Sequence, residues 1–121
     1  LGHLGIAREI AVLTGQTVKM PDVTLKEDGP AIETLTSVER SAPAEFWCPQ
    51  YRARVIQGVK VGPSPKWLAR RLEAIGLTPI NNVVDVTNYV LHETGQPLHA
   101  FDFDKLSGRK IVVRAARAGE K

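Results

Sequence analysis

Residues 64–97, "SPKWLARRLEAIGLTPINNVVDVTNYVLHETGQP", hold two helix patterns in succession, each with its own start and stop. In the first, Ser64 suits the N-cap and Pro65 the first helical position. Leu68, Leu72 and Ile75 form one apolar stripe, and Gly76 ends it. In the second, the valines at 83, 84, 86 and 90 have strand propensity, yet the punctuation is helical. Asn82 can cap, Val83, Val86 and Val90 share a face, and Gly95 followed by Pro97 closes the element. The spacing therefore predicts a helix over 83–94.

Strand-like runs surround this pair. In "YRARVIQGVKV" (51–61), Tyr51, Ala53 and Val55 face one way and Arg52 and Arg54 the other. Gly58 allows a bend before Val59 and Val61 resume the apolar face. "AIETLTSVE" (31–39) suits a strand, as does "KIVVRAA" (110–116). In "LHAFDFD" (98–104), His99, Phe101 and Phe103 alternate with Ala100, Asp102 and Asp104. Near the start, "GIAREIAVLTG" predicts a helix with Ile6, Ile10 and Leu13 in a stripe and Gly15 as its stop. Residues 17–30 read as a connector and "RSAPAEFWCP" as a loop. The expected fold class is α+β, with helices and strands mixed and no regular βαβ rhythm.

The totals narrow the function classes. A chain of 121 residues is one domain's worth, and its 43% hydrophobic and 24% charged content is that of a soluble globular protein. No apolar run approaches the ~20 residues of a membrane span, and no basic-then-apolar signal peptide opens the chain. One cysteine, Cys48, excludes an internal disulfide framework and argues against a thiolate zinc site. A reducing cytoplasm is the expected location. The net charge of +3 permits a nucleic-acid partner without arguing for one. Because the chain begins at Leu1 inside a helix-like run and stops just after a strand-like one, it reads as a piece of a longer polypeptide.

Polar chemistry concentrates in residues 81–105. Thr87 and Asn88 fall late on the second helix, and a hairpin-like reversal after Gly95 could bring His99 back beside them. A hydroxyl and an amide can hold a polar substrate, and imidazole can orient or deprotonate a water near neutral pH. Phe101 and Phe103 could floor such a pocket. The plainer reading makes Asn88 a partner for a nearby carbonyl, His99 a satisfied core histidine and the phenylalanines core. Metal binding through His92, His99 and Asp102 has no ligand spacing behind it. Asp85 is most simply a favourable charge on the helix's first turn. Cys48, between aromatics and a proline, reads as a structural thiol. Arg52, Arg54 and Lys60 share a strand face, while Lys66, Arg70 and Arg71 lie on the first helix. Trp67 beside them could stack on a base but suits a core equally well.

Three blocks resemble a known family: "LGHLGIAREIAVLTG" (1–15), "CPQYRARVIQGVKVGPSPKWLARRLEAIGLTPINNVVDVTNYVLHETGQPLHAFDFDKL" (48–106) and "GRKIVVRAARAGEK" (108–121). The family is the beta subunit of bacterial phenylalanyl-tRNA synthetase. The resemblance implies that residues 1–22 are the tail of a preceding N-terminal domain with its connector. Residues 23–121 would be the first part of an α+β editing domain with a sandwich-like sheet arrangement. It further implies a heterotetramer of two alpha and two beta subunits that charges tRNA(Phe). The alpha subunit would carry the ATP- and magnesium-dependent step. Nothing in this chain resembles the aminoacylation motifs, so no cofactor is expected on it.

The editing role implied is hydrolysis of mischarged Tyr-tRNA(Phe), a task made necessary because an apolar pocket rejects an added hydroxyl poorly. By position, Thr87 and Asn88 would bind the polar end of the misacylated amino acid. His99 would position the hydrolytic water or the terminal ribose. Asn82 falls at a further pocket position, where relatives commonly carry arginine. Two rival readings are a free-standing editing-domain relative and a non-catalytic tRNA- or protein-binding module.

Overall fold

A computed structural model describes residues 2–41 and 44–120, with nothing described for the side chains of Ala44 and Glu45. Expectations touching Leu1, Ala42, Pro43 and Lys121 lie outside the described residues. The fold is α+β, as the patterns predict. It divides into two compact units, residues 1–25 with 59–100 and residues 26–58 with 101–121.

The first unit is helical: α1 (Gly2–Thr14), α3 (Lys66–Ala74) and α4 (Asn82–Thr94). Both α1 and α3 pack on α4. The α3 stripe is as predicted for Leu68 and Leu72, each only 1% exposed, whereas Ile75 at the helix end is 39% exposed. Burying the two leucines stabilises the helix pair by roughly 1.5–3 kcal/mol each. The helix stops where expected. Gly76 turns into the left-handed region at φ 83°, Leu77 N–H donates to the Leu72 carbonyl and Gly76 N–H to that of Glu73. That pair of bonds is the Schellman closure, which glycine adopts without a Cβ penalty.

Two start signals differ from expectation. Ser64 does not cap α3; its hydroxyl turns to the Asp85 carboxylate instead, and the Pro65 carbonyl accepts from Leu68 and Ala69 at the helix start. For α4 the cap is Asn81, one residue earlier than predicted. Its side chain accepts from Val83 N–H and Val84 N–H, at 3.1 and 3.0 Å, the standard N-cap bonds.

The α1 stripe is a second correction. Ile6, Ile10 and Leu13 are 53%, 54% and 85% exposed. The half-buried residues are instead Gly2, Leu4, Gly5, Ala7 and Ala11, a face of mostly small residues that lets two backbones approach closely. The approach is tightest at Gly2, where a Cβ would stand 2.6 Å from Gly95 N and 2.9 Å from the Glu93 carbonyl oxygen. His3 Nδ1–H donates to the His92 carbonyl oxygen at 2.8 Å beside it. Gly2→Ala, at φ 61° and against backbone atoms, is expected to cost roughly 1–3 kcal/mol. Hydrogen exchange should show α1 and the last turn of α4 opening sooner in that variant, while the first turn of α4 is unchanged.

The second unit contains β1 (Ser37–Arg40), a short helix α2 (Ala44–Trp47) and β2 (Lys110–Val113). The strands pair in parallel, Ser37 opposite Lys110 through Arg40 opposite Val113. Val38, Ile111 and Val113 are half-buried while their neighbours along each strand are exposed. Lys110 Nζ meets Glu39 Oε1 at 2.8 Å across the ladder, and the Thr36 hydroxyl extends the pairing to the Arg109 carbonyl at 2.6 Å. At the far end, Arg114 grips Glu120 through both terminal guanidinium nitrogens, at 2.8 and 2.7 Å. Those hydrogen bonds, helped by Arg117 N–H, hold the Glu120 carboxyl down at about 2.

Four expected strand or loop segments take other forms. Residues 31–39 are strand only from Ser37, with a 3₁₀ turn at Ile32–Thr34 before it. Residues 51–61 form no regular strand and join no ladder. The sheet among the described residues has two strands, β1 and β2, so this alternation has no partner strand; Gly58 bends at φ 70° as expected. Residues 98–104 do not form a strand, because the Asp102 carboxylate accepts from Asp104 N–H and draws Phe103–Lys105 into a 3₁₀ turn. "RSAPAEFWCP" contains the single-turn helix α2 rather than loop alone.

Candidate functional site

The residues singled out by sequence lie on α4 and the segment that follows it. Asn81 opens the helix with its side chain, leaving Asn82 free for another task. Asn82 Oδ1 accepts from Gly62 N–H at 3.1 Å and its Nδ2 donates to the Lys60 carbonyl at 2.9 Å. Its own N–H donates to the Gly62 carbonyl at 2.8 Å. Asn82 is thus a clasp that holds residues 60–62 to the start of α4.

A second tie sits one turn on. Asp85 is 0% exposed, with Oδ1 accepting from Ile80 N–H at 2.9 Å and Oδ2 from the Ser64 hydroxyl at 2.5 Å. By sequence pattern alone, Asp85 is only a favourable charge near a helix start. Its carboxylate in fact fastens both the entry to α3 and the link into α4. The available signal was the i, i+4 register from Asn81 to Asp85 behind a proline-containing link, which turns a first-turn acid back over that link.

Thr87 and Asn88 are consecutive and half-buried on α4. The Thr87 hydroxyl donates to the Val84 carbonyl at 2.7 Å, which fixes the oxygen and leaves its lone pairs to accept. The Asn88 amide makes no hydrogen bond among the described residues, and no unpartnered side-chain nitrogen or oxygen there is buried away from solvent. It can therefore offer two donors and an acceptor to a ligand. α4 ends at Gly95, φ 81°, whose N–H donates to the Leu91 carbonyl at 2.8 Å. His99 follows on an exposed, irregular segment rather than on a returning strand. Phe101 is 55% exposed and Phe103 half-buried under the Arg109 guanidinium, 5.4 Å from its ring centre, so neither is the fully buried core residue expected.

Among the described residues no group of three or more His, Cys, Asp or Glu side chains is placed to hold a metal. Cys48 is half-buried and its thiol faces the Gln50 carbonyl at 3.4 Å. One shallow concavity of about 300 Å³ lies elsewhere in the helical unit, lined by His3, Arg71, Leu72, Ile75, Tyr89 and Glu93 among others.

The B3/4 domain pattern matches residues 47–121. The chain belongs to the B3/4 domain family. Its whole length also aligns with phenylalanine–tRNA ligase beta subunits. It is 56% identical to that of Anaeromyxobacter dehalogenans over 121 residues, which is all of this chain and 15% of the relative. Identity is 53% to the subunit of Moorella thermoacetica, with the same coverage, and 53% to that of Rhodopirellula baltica, of which the chain covers 18%. The chain thus spans about a sixth of the length of these relatives. The B3/4 match takes in α3, α4 and β2 with the two asparagine and aspartate ties between them, and it includes Thr87, Asn88 and His99. No helix among the described residues is long and apolar enough to cross a membrane.

Proposed function

We propose that this chain is part of a phenylalanine–tRNA ligase beta subunit, with residues 23–121 in its editing domain and residues 1–22 in the segment before it. On this reading Thr87, Asn88 and the segment around His99 form one wall of a site that hydrolyses tyrosine from mischarged tRNA(Phe). The observation that carries it is the Asn88 amide, half-buried on α4 with no partner among the described residues, beside a threonine hydroxyl held by the helix, in a B3/4 domain whose relatives are tRNA ligase subunits.

The chemistry follows from those groups. A tyrosyl ester presents an ammonium, a carbonyl and a terminal ribose. The Asn88 carbonyl and the Thr87 oxygen can accept from the ammonium, while the Asn88 N–H₂ can donate to the ester carbonyl. Water attacks the carbonyl carbon, the bond to the ribose oxygen breaks, and the water's proton ends on that oxygen. A neutral imidazole at His99 can take the proton and return it. No protein nucleophile is required. Asn82 serves by holding residues 60–62 against α4, so its effect on substrate is through position.

The parent enzyme would be a cytoplasmic heterotetramer with alpha subunits and tRNA(Phe) as partners. ATP and magnesium would serve its aminoacylation step. Among the described residues no group of His, Cys, Asp or Glu side chains is placed to hold magnesium. Asn88→Ala in the intact ligase is expected to weaken Tyr-tRNA hydrolysis about tenfold or more, the worth of hydrogen bonds to a charged group. Rates of phenylalanine charging should be unchanged. Equal deacylation by wild type and Asn88→Ala would remove the amide from the site.

A further inference from the structure

The exposed surface of α3 carries a feature that the ester-hydrolysis reading does not use. Lys66, Trp67, Arg70 and Arg71 are all exposed; by helical spacing Lys66 and Arg70 lie away from the buried Leu68 and Leu72, while Trp67 and Arg71 flank them at the edge toward α4. Lys66 and Arg70 stand one helical turn apart, about 6 Å along the axis. Among the described residues neither has a carboxylate within ion-pair distance. Trp67 is 54% exposed and stands edge-on to Tyr89 with ring centres 5.6 Å apart. The Arg71 guanidinium lies 5.7 Å from the centre of each ring and donates to the Tyr89 hydroxyl at 2.5 Å. That hydroxyl donates in turn to Glu93 Oε1 at 2.8 Å. Burial and the Glu93 bond raise the Tyr89 phenol above its ordinary value.

A half-exposed tryptophan is usually a hydrophobic residue lacking a partner. Here its ring is braced by a second ring and a cation, both held by the chain to Glu93. A braced aromatic face next to two unpaired cations matches a polymer that offers planar bases and regularly spaced negative charges together. An acidic peptide would satisfy the cations and leave the ring idle.

We propose that the Lys66–Trp67–Arg70–Arg71 face of α3 binds single-stranded RNA, one base stacking on Trp67 while Lys66 and Arg70 contact flanking phosphates. This surface goes beyond the ester-hydrolysing wall on α4 and does not depend on it. The test is ultraviolet cross-linking of a 4-thiouridine-substituted single-stranded RNA to the full-length protein, with the adduct located by mass spectrometry. An adduct at Trp67 is expected. Its yield should fall at least fivefold in Lys66→Gln/Arg70→Gln, whose side chains are exposed and leave the fold intact, and should fall steeply with salt. No adduct at Trp67, or an unchanged yield in the double variant, would overturn the proposal. So would competition by polyglutamate as effective as that by unmodified RNA, which would mark the face as a docking surface for acidic protein. The probe carries no amino acid, so its failure leaves the deacylation reading standing, and loss of deacylation leaves this result untouched.

Discussion

Replacing Asp85 by alanine is expected to loosen α3 and α4 together, at a cost of about 2–5 kcal/mol. The carboxylate is 0% exposed and serves two donors, the Ser64 hydroxyl and the Ile80 N–H. Alanine leaves both unpaired in the half-buried joint, each at roughly 1–3 kcal/mol, and opens a small void besides. Against a typical stability of about 5–15 kcal/mol, that is a large share. Exchange of α3 and α4 amides should quicken by about 30-fold or more, at tenfold for each 1.4 kcal/mol. Asp85→Asn separates geometry from charge, because its carbonyl can still accept from Ile80 and Ser64 can rotate to accept from the amide. It should recover most of the protection. Exchange in Asp85→Ala within twofold of wild type would show that the ties from Asp85 do not hold the joint.

The second large effect is expected at His99. Its imidazole is the one side chain of the proposed wall that can move a proton near pH 7. Positioned acid–base groups of this kind contribute about 10²–10⁴-fold to rate. His99→Ala should therefore lower tyrosyl-ester hydrolysis by that order while leaving Thr87 and Asn88 in place, since they are fixed by α4 and His99 lies beyond its end. His99→Gln, able to orient a water but not to take its proton, should remain slow if proton transfer is the role.

What the sequence made legible divides by range. Both glycine stops, Gly76 and Gly95, and the Leu68–Leu72 stripe were readable because each is set within one or two helical turns. The cap of α4 was read one residue late because Asn81 and Asn82 are chemically alike. Only the distant Lys60–Gly62 segment, which occupies the Asn82 side chain, decides between them. The alternating 51–61 run looked like the best strand, yet alternation says only that a chain could pair. The observed pairing joins residues 37–40 to 110–113, a separation no local pattern announces. The α1 stripe misled for a related reason: apolar spacing identifies a helix face, but the close approach of Gly2 to Gly95 selects the face of small residues. Of the candidate site, the helical placement of Thr87 and Asn88 was readable. The alternation around His99 was not realised, because Asp102 bends the segment locally. Asp85 and the Trp67–Arg71–Tyr89 brace are contacts across elements, visible only once α3 lies against α4.

On the proposed reading, the Thr87–Asn88–His99 region is a wall of a tyrosyl-ester hydrolysing site. The most direct measurement is single-turnover hydrolysis of preformed Tyr-tRNA(Phe) and Phe-tRNA(Phe) by the intact ligase, wild type and His99→Ala. The predicted result is selective clearance of the tyrosyl ester by wild type and its loss in His99→Ala, with phenylalanine charging retained. Hydrolysis of the tyrosyl ester by His99→Ala at the wild-type rate would contradict it.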